Sequence, residues 1–412
     1  MGLAAELGCP QCGAAIGLDE ADHLVTCPFC KVTSFLAAPT YHFILPPKER
    51  GDELLFAPYL RFKGVVYCVG ETEILHRIAD VTCRGLAMPA LPLSLGVRPQ
   101  ALRLRFAEPG MGVFLKSRAS QQEAIDTVTR VLTEEAGVVH HLCAIGETVS
   151  RIYLPISLRR GQAFDAVSGD LLGRLPADRD LFDPVRDPDY DWRPRALAAL
   201  CPECGWDLEG DPASVVLLCR QCDTAWRAGR EGYVRVEIES LALGGQGSGD
   251  GEEGLALPFW RIEAEGEAQG GQWRSRADFS RLTGQPYPPR PGWEERPYAF
   301  WSPAFKVRPK IYLQAGRQLT ILQPELSGGK AIPRQSHPIT LPLSEAVEAL
   351  RLCLASIAYR KKEVMALLPG LDLRVMKATL VFIPFSVTFH DLLRTELGVS
   401  INRKALEFGG SL

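Results

Sequence analysis

The stretch CPQCGAAIGLDEADHLVTCPFC, residues 9–30, decides the fold of the first part of this chain, and CPECGWDLEGDPASVVLLCRQC, residues 201–222, repeats its cysteine spacing. In both stretches two Cys-x-x-Cys pairs stand fourteen residues apart. Fourteen extended residues would reach about 46 Å, so the chain between the pairs must fold back as a hairpin if four thiols are to meet at one ion. The sequence therefore predicts two zinc ribbons.

The predicted metal ligands account for eight of the twelve cysteines. A thioredoxin-like redox pair would need a single Cys-x-x-Cys at a helix start, and a rubredoxin-type iron site would need a longer interval between the pairs. Four thiolates leave no open position for water, so we expect two structural Zn²⁺ ions. The predicted ligands are Cys9, Cys12, Cys27, Cys30, Cys201, Cys204, Cys219 and Cys222.

Short sequence matches continue beyond the cysteines in the same order. The matched stretches are 57–62 with 257–262, 97–100 with 307–310, 123–125 with 345–347, 154–157 with 383–386, and Gly169 with Gly398. Each match is short, but the conserved order indicates an internal duplication whose second copy carries insertions.

We expect an α+β, β-rich fold made of two tandem copies of one module: a ribbon, a β-rich body, one helix and a closing β-hairpin. The predicted division is a ribbon over 1–38, a body over 39–175 with a helix at about 120–135, an Asp- and Pro-rich linker over 176–195, a second ribbon over 196–230, and a second body over 231–412 with a helix at about 344–362. Alternation of apolar residues predicts strands at 102–106 and 310–313. The closing hairpins are predicted to pair 151–158 with 162–167 and 379–389 with 399–403.

Composition narrows the function. A net charge of -3 and a pI near 6.2 argue against a protein that mainly wraps nucleic acid. The chain has no apolar run long enough to span a membrane and no secretory signal, so we expect a cytoplasmic protein, with peripheral membrane association left open. No His-Glu-x-x-His, Gly-x-Ser-x-Gly or phosphate-binding motif occurs in a fitting context, so no catalytic residue is predicted.

Several aromatic and basic residues near predicted strand starts are candidate partner-binding residues. They could stack bases and contact phosphates in a single-strand binder, or they could be core residues and a solvated face of the two bodies. The candidates are Tyr59, Arg61, Arg98, Trp260, Arg261 and Arg308.

The knuckles Cys9 to Gly13 and Cys201 to Gly205 have the form Cys-Pro-x-Cys-Gly. They resemble the zinc-binding region of the primosomal replication-restart helicase, although no helicase motor motif is present. The repeated Pro-aromatic-Trp/Leu-Arg strand and the hairpin Asp165 to Gly169 are similar to uncharacterised bacterial tandem zinc-ribbon proteins. The resemblance implies a binding or scaffolding role.

These observations favour a non-enzymatic adaptor or assembly component that acts through protein–protein contacts. Two linked sites would raise avidity without new contacts. The first alternative is a nucleic-acid-binding accessory protein, and the second is an enzyme whose site the sequence does not reveal.

Overall fold

The computed structural model describes residues 3–38, 40–48, 54–108, 110–117, 121–174, 194–241, 254–268, 270–286, 288–326 and 329–407. The predicted linker over 176–195 lies outside the described residues except for its last two positions. Strands hold 44% of the residues and helices 19%, so the predicted α+β, β-rich class is confirmed.

Strands predominate along the described chain, and helices separate some of them. The strands are β1 Ala4–Gly8, β2 Ala15–Asp19, β3 Leu24–Thr26, β4 Thr33–Ala37, β5 Tyr41–Ile44, β6 Leu54–Val69, β7 Ile74–Arg84, β8 Leu104–Phe106, β9 Val113–Phe114, β10 His141–Arg159, β11 Gln162–Asp165, β12 Leu171–Arg174, β13 Arg195–Ala198, β14 Val216–Cys219, β15 Thr224–Ala228, β16 Tyr233–Val236, β17 Ile238–Ser240, β18 Leu255–Ala268, β19 Gly271–Trp273, β20 Ala299–Pro303, β21 Asp372–Val387, β22 Asp391–Arg394 and β23 Val399–Asn402. The helices are α1 Arg98–Ala101, α2 Gln121–Ala136, α3 Arg276–Thr283, α4 Pro309–Leu322, α5 Leu343–Glu348, α6 Leu350–Ile357, α7 Lys361–Leu367 and α8 Arg403–Glu407.

The chain divides into two compact units that are not contiguous in sequence. The first unit comprises Met1–Gly64, Ala79–Val128 and Glu147–Ala199, and the second comprises Val65–Ile78, Thr129–Gly146 and Leu200–Leu412. The sequence predicts instead that all of 39–175 belongs to the first body. The difference arises because apolar residues such as Val65, Tyr67 and Ile145 are buried in the core cluster of the second unit.

The first unit is built on a ten-stranded sheet. Its main path runs β12-β11-β10-β5-β8-β1-β2, and β6 pairs with β10, β7 and β9. Strand β5 runs parallel to β10, with Tyr41 opposite Ser150. The predicted closing hairpin of this unit is confirmed, because β10 and β11 pair antiparallel from Ile156 opposite Asp165 to Arg159 opposite Gln162. The predicted helix near 120–135 and the strand near 102–106 correspond to α2 and β8.

The second unit is built on a seven-stranded sheet with the path β19-β18-β21-β22-β23, to which β17 and β20 add. The long strands β18 and β21 pair antiparallel and form its centre. Strand β17 runs parallel to β21, with Ile238 opposite Leu380. Because both faces of the central strands are covered, Leu257, Trp260 and Phe382 are fully or almost fully buried.

Three predictions for the second body need correction. The residues 310–313, predicted as a strand, lie in helix α4. Pro309 suits the first turn of a helix, and Tyr312, Ala315 and Leu319 are buried at helical spacing. A window of four residues is too short to reveal that period.

The helix predicted over 344–362 is divided into α5, α6 and α7. The last break occurs because the amide of Tyr359 donates to the carbonyl of Thr283 at 2.8 Å instead of continuing the helical ladder. Ala358 accordingly has extended backbone angles. A tertiary hydrogen bond thus ends a helix that the apolar period would continue.

The closing hairpin of the second body also differs from its prediction. Strand β21 pairs with β22 rather than with 399–403, and β23 pairs with β22 in turn. Residues 391–394 follow β21 through a tight turn, so they reach the neighbouring position first. The result is a three-stranded meander.

Candidate metal centres

The first cysteine group is held by two turns of fixed geometry. The amide of Cys9 donates to the carbonyl of Ala14 at 2.8 Å, and the amide of Gly13 donates to the carbonyl of Cys9 at 2.9 Å. Gly13 has a φ of 75°, which favours glycine. In the second turn Lys31 has a φ of 62°, and its amide donates to the carbonyl of Cys27. The two knuckles present their sulfurs to one point.

The sulfur spacing in this group fits a four-thiolate metal site. Cys9 and Cys30 Sγ are 3.7 Å apart, as are Cys12 and Cys27 Sγ. All four ligand atoms lie within 4.8 Å of one another. A tetrahedron with Zn–S bonds of about 2.3 Å has sulfurs about 3.8 Å apart, whereas a disulfide requires about 2.05 Å. The four thiols therefore surround a space of the size of a metal ion.

The second cysteine group has the same turns. The amide of Cys201 donates to the carbonyl of Trp206 at 2.7 Å, and the amide of Gly205 donates to the carbonyl of Cys201 at 2.8 Å. Gly205 has a φ of 74° and Asp223 a φ of 52°. These two positions correspond to Gly13 and Lys31 at the displacement that separates the cysteines.

The sulfurs of the second group have the same arrangement. Cys201 and Cys222 Sγ are 3.6 Å apart, and Cys204 and Cys219 Sγ are 3.4 Å apart. These spacings also suit a four-thiolate ion. Zinc is the natural occupant, because thiolates are soft ligands and a closed tetrahedral site is its usual structural form.

A hydroxyl supports the second group but not the first. Thr224 Oγ1 lies 3.1 Å from Cys222 Sγ and 3.7 Å from Cys201 Sγ. Trp226 Nε1 donates to this oxygen at 2.8 Å, which directs the hydroxyl proton toward the sulfurs. Val32 follows Cys30 at the position where Thr224 follows Cys222, so the first group lacks this donor.

Backbone amides favour ionisation of at least one thiol in each group. The amide of Cys12 donates toward the Cys9 sulfur and lowers the pKa of Cys9 to about 6. At Cys201 burial opposes ionisation, but the amides of Cys204 and Glu203 outweigh it and lower the pKa to about 6. Because a metal binds the thiolate form, both shifts favour metal binding near neutral pH.

The two ribbons are completed by strands from different places. In the second, β14, β15 and β16 follow one another. In the first, β3 and β4 are joined by β13, with Leu197 opposite Phe35. Residues 196–199, predicted to open the second ribbon, therefore belong to the first. Both ribbons also share the core of their unit, through Val25 and Cys27 in the first and Val216 and Ala225 in the second.

Four of the candidate partner-binding residues are buried, so they have no surface to offer a partner. Tyr59 donates its hydroxyl to the carbonyl of Pro92, and Trp260 Nε1 donates to the carbonyl of Leu341. Arg61 and Arg261 are at most 8% exposed. The proline-aromatic-arginine pattern therefore marks central strands of the two sheets, which corrects the interpretation of these four residues as contact sites.

The buried arginines bind carboxylates inside their own units. Arg61 binds Asp80 through Nε and Nη2 at 2.8 and 2.9 Å, and its Nη1 binds Glu20. Arg261 binds Glu263. These contacts assign a structural role to both arginines.

The two remaining candidates are less enclosed. Arg98 is about one-third exposed and binds the buried carboxylate of Asp165. Arg308 is exposed at the start of α4. Of the six candidates, only these two retain surface.

The aromatic residues exposed on the ribbons were missed by the sequence reasoning. Phe29 is 70% exposed and Trp206 is 60% exposed. Phe29 is the third residue of its Cys-x-x-Cys knuckle and Trp206 comes two residues after a knuckle. A side chain on so tight a turn has few neighbours to cover it. The position of each aromatic residue in or beside a Cys-x-x-Cys turn was therefore the sequence signal for its exposure.

Within the described residues, the two cysteine groups are the only sets of three or more potential metal-ligating side chains that converge. No helix in that part of the chain is long and apolar enough to cross a membrane. No protein-family model, curated protein or solved structure matches the chain. The resemblance to bacterial tandem zinc-ribbon proteins therefore rests on the motifs quoted above.

Proposed function

We propose that this chain is a non-enzymatic, cytoplasmic adaptor whose two structural zinc ions hold protein-docking surfaces in shape. The observation that carries the proposal is the exposed aromatic side chain on each ribbon, Phe29 on the first and Trp206 on the second. A globular chain gains stability by burying such side chains, and exposed aromatics are frequent anchors of protein interfaces.

The metal sites make these aromatics suitable anchors. The amide of Phe29 donates toward the sulfur of Cys27, so its backbone is fixed to a ligand while its ring points outward. The carbonyl of Trp206 accepts the amide of Cys201 in the same manner. A preorganised anchor loses little conformational freedom on binding, which improves affinity.

A structural role for zinc follows from the ligand set. Four thiolates fill the tetrahedral shell and leave no position at which the ion could activate water. Cys27 and Cys219 are fully buried, and Cys27 belongs to the core cluster of the first unit. The metal therefore contributes to folding, and the surfaces around it contribute to binding.

Internal duplication supports a two-site adaptor. In each unit a short strand that follows the ribbon, β5 or β17, runs parallel to a long strand, β10 or β21. The matched glycines Gly169 and Gly398 both have positive φ, at 90° and 60°. We infer that one ancestral module gave rise to both halves.

The nucleic-acid alternative is weakened by burial. Tyr59, Arg61, Trp260 and Arg261, which would have stacked bases and contacted phosphates, are enclosed in the sheets. The protein–protein proposal does not depend on them.

The test is affinity purification of the full chain from its native host, followed by mass spectrometry. We expect Phe29→Ala and Trp206→Ala each to lower recovery of at least one partner by about tenfold or more. Tyr359→Ala is the matched control, because Tyr359 is 70% exposed and lies outside both ribbons. Each variant should retain two zinc ions. Identical partner recovery from all three variants would contradict the proposal.

A further inference from the structure

The turn between β21 and β22 carries the most exposed large apolar side chain in the described part of the protein. Phe389 is 87% exposed, and Val387 at the end of β21 is 41% exposed. Every residue from 386 to 390 is exposed. A single exposed apolar residue is common on protein surfaces, so the surroundings of Phe389 decide what it indicates.

Several polar groups of the turn form hydrogen bonds with Asp391 and Arg403. The amide and the hydroxyl of Thr388 donate to the carbonyl of Asp391 at 2.9 and 2.8 Å, and the amide of Asp391 donates to Thr388 Oγ1 at 3.0 Å. The carbonyls of Thr388 and His390 accept hydrogen bonds from Arg403. The polar groups of Thr388 and the carbonyl of His390 are therefore paired, which reduces the cost of bringing them near a region of low polarity.

Cations stand directly beside this turn. Arg403 Nη1 lies 3.3 Å from the carbonyl oxygen of Thr388, and Lys404 follows it at the start of α8. Both side chains are exposed. The carboxylate of Asp391, which follows the turn, accepts a hydrogen bond from Asn402 Nδ2 at 3.2 Å. The turn therefore combines a projecting apolar tip with positive charge at its base.

We propose that the 386–390 turn docks shallowly on an anionic lipid surface, with Phe389 entering the interface and Arg403 and Lys404 meeting the headgroups. The apolar tip would lie at the boundary of the acyl chains, and the cations at its base would lie at the level of the anionic headgroups. The ring of His390 packs perpendicular to that of Phe389 at 4.6 Å, and it competes with a base that would stack there.

The docking is weak and reversible. One apolar side chain and two cations supply a small apolar area and few charge contacts, and stable anchoring takes stronger signals. The net charge of the whole chain is -3, so the proposed attraction to an anionic surface depends on local positive charge, here Arg403 and Lys404. Binding therefore falls as salt rises.

The experiment is co-sedimentation of the full zinc-loaded chain with vesicles of phosphatidylcholine and phosphatidylserine in roughly equal parts. We expect Phe389→Ala to reduce the bound fraction about tenfold, and Arg403→Gln with Lys404→Gln to reduce it at least about tenfold. Vesicles of phosphatidylcholine alone should bind far less protein. A Phe389→Trp variant should show a blue-shifted emission on the mixed vesicles.

Matched controls separate this turn from general surface effects. Tyr359→Ala removes another exposed aromatic residue, and Arg360→Gln with Lys361→Gln removes an equal charge elsewhere in the same unit. Both should bind like the parent chain. Equal binding by Phe389→Ala and the parent overturns the proposal, as does equal binding to neutral vesicles. Retention of a single-stranded oligonucleotide in place of vesicles, lost in Phe389→Ala, also overturns it and assigns the turn to nucleic acid.

Discussion

The first ribbon and the second ribbon present their four cysteines on the same turns, but they differ in what supports those turns. The first takes its third strand, β13, from far downstream and has Val32 beside its ligands. The second takes β16 from the next residues and has Thr224, oriented by Trp226. The comparison indicates that the knuckle turns are constant, whereas strand and hydroxyl support vary around them.

The largest effect should come from removing a ligand, through Cys27→Ser in the first ribbon or Cys219→Ser in the second. Each variant should hold one zinc ion instead of two and should unfold its own unit. Structural zinc contributes about 10–16 kcal/mol of binding free energy, which exceeds or matches the whole stability of a typical domain. Elemental analysis gives the metal count.

Tryptophan emission distinguishes the two outcomes. Six of the seven tryptophans lie in segments of the second unit. Cys219→Ser should therefore abolish the cooperative change in emission on denaturation, whereas Cys27→Ser should keep it and lose part of the circular dichroism transition. Two retained zinc ions in either variant would show that the altered cysteine is not a ligand.

The next effect compares the buried arginines of the two sheets. Arg61→Gln leaves Glu20 and Asp80 without their cation, and Glu20 is almost fully buried. We expect a loss of about 3–5 kcal/mol in the first unit. Arg261→Gln affects a single carboxylate, Glu263, which is more exposed than Glu20. This substitution should cost about 1–2 kcal/mol in the second unit.

Chemical denaturation followed by circular dichroism and by tryptophan emission would measure these two losses. Equal losses for the two variants would mean that burial of Glu20 does not set the cost. The same experiment on Glu263→Gln removes the charge of the partner of Arg261 and so serves as a control for that ion pair.

A smaller effect tests the borrowed strand of the first ribbon. The amide of Ala199 donates to the carbonyl of Thr33 at 3.2 Å, so alternation directs the amide of Leu197 toward β4 as well. Leu197→Pro removes that donor and should cost about 2–3 kcal/mol in the first unit. Ala196→Pro is the matched control, because its amide faces away from β4.

The loss of stability in each of the two proline variants would be measured as the shift in the denaturation midpoint of the first unit. The tryptophan transition of the second unit should not move. Similar shifts for Leu197→Pro and Ala196→Pro would indicate that β13 contributes through its side chains and not through its ladder.

The smallest effect concerns the hydroxyl beside the second metal site. Thr224→Val removes a donor to the ligand sulfurs and should weaken zinc binding in the second ribbon about tenfold, as expected for a group that orients a ligand. Val32→Thr offers the reciprocal change in the first ribbon. Competition with a zinc chelator should release two ions in two phases in the parent chain, and Thr224→Val should merge them.

The local parts of this fold could be predicted from the sequence. The eight cysteines are brought together in two groups, as their spacing indicates. The positive φ angles at Gly13 and Gly205 follow from the Cys-Pro-x-Cys-Gly form. Such features depend on residues within one hairpin, so a short stretch of sequence is sufficient to predict them.

The remaining parts depend on contacts between distant residues. Helix α4 was missed because its burial period spans more residues than the four that alternate. The break before α7 depends on Thr283, and β13 pairs with a strand at the other end of the first unit. Burial of Arg61 depends on Glu20 and Asp80, which flank it at long range. No local sequence pattern identifies these long-range contact partners.

The second unit includes residues 65–78 and 129–146, which come early in the chain, and this has a consequence during synthesis. Tyr67, Cys143 and Ile145 leave the ribosome well before β18, α4 and β21, whose buried residues belong to the same core cluster. At ordinary translation speeds the delay is on the order of tens of seconds. The nascent chain therefore exposes apolar strand residues throughout this interval. A fragment that begins at residue 196 would lack these core residues and leave a cavity in the second unit.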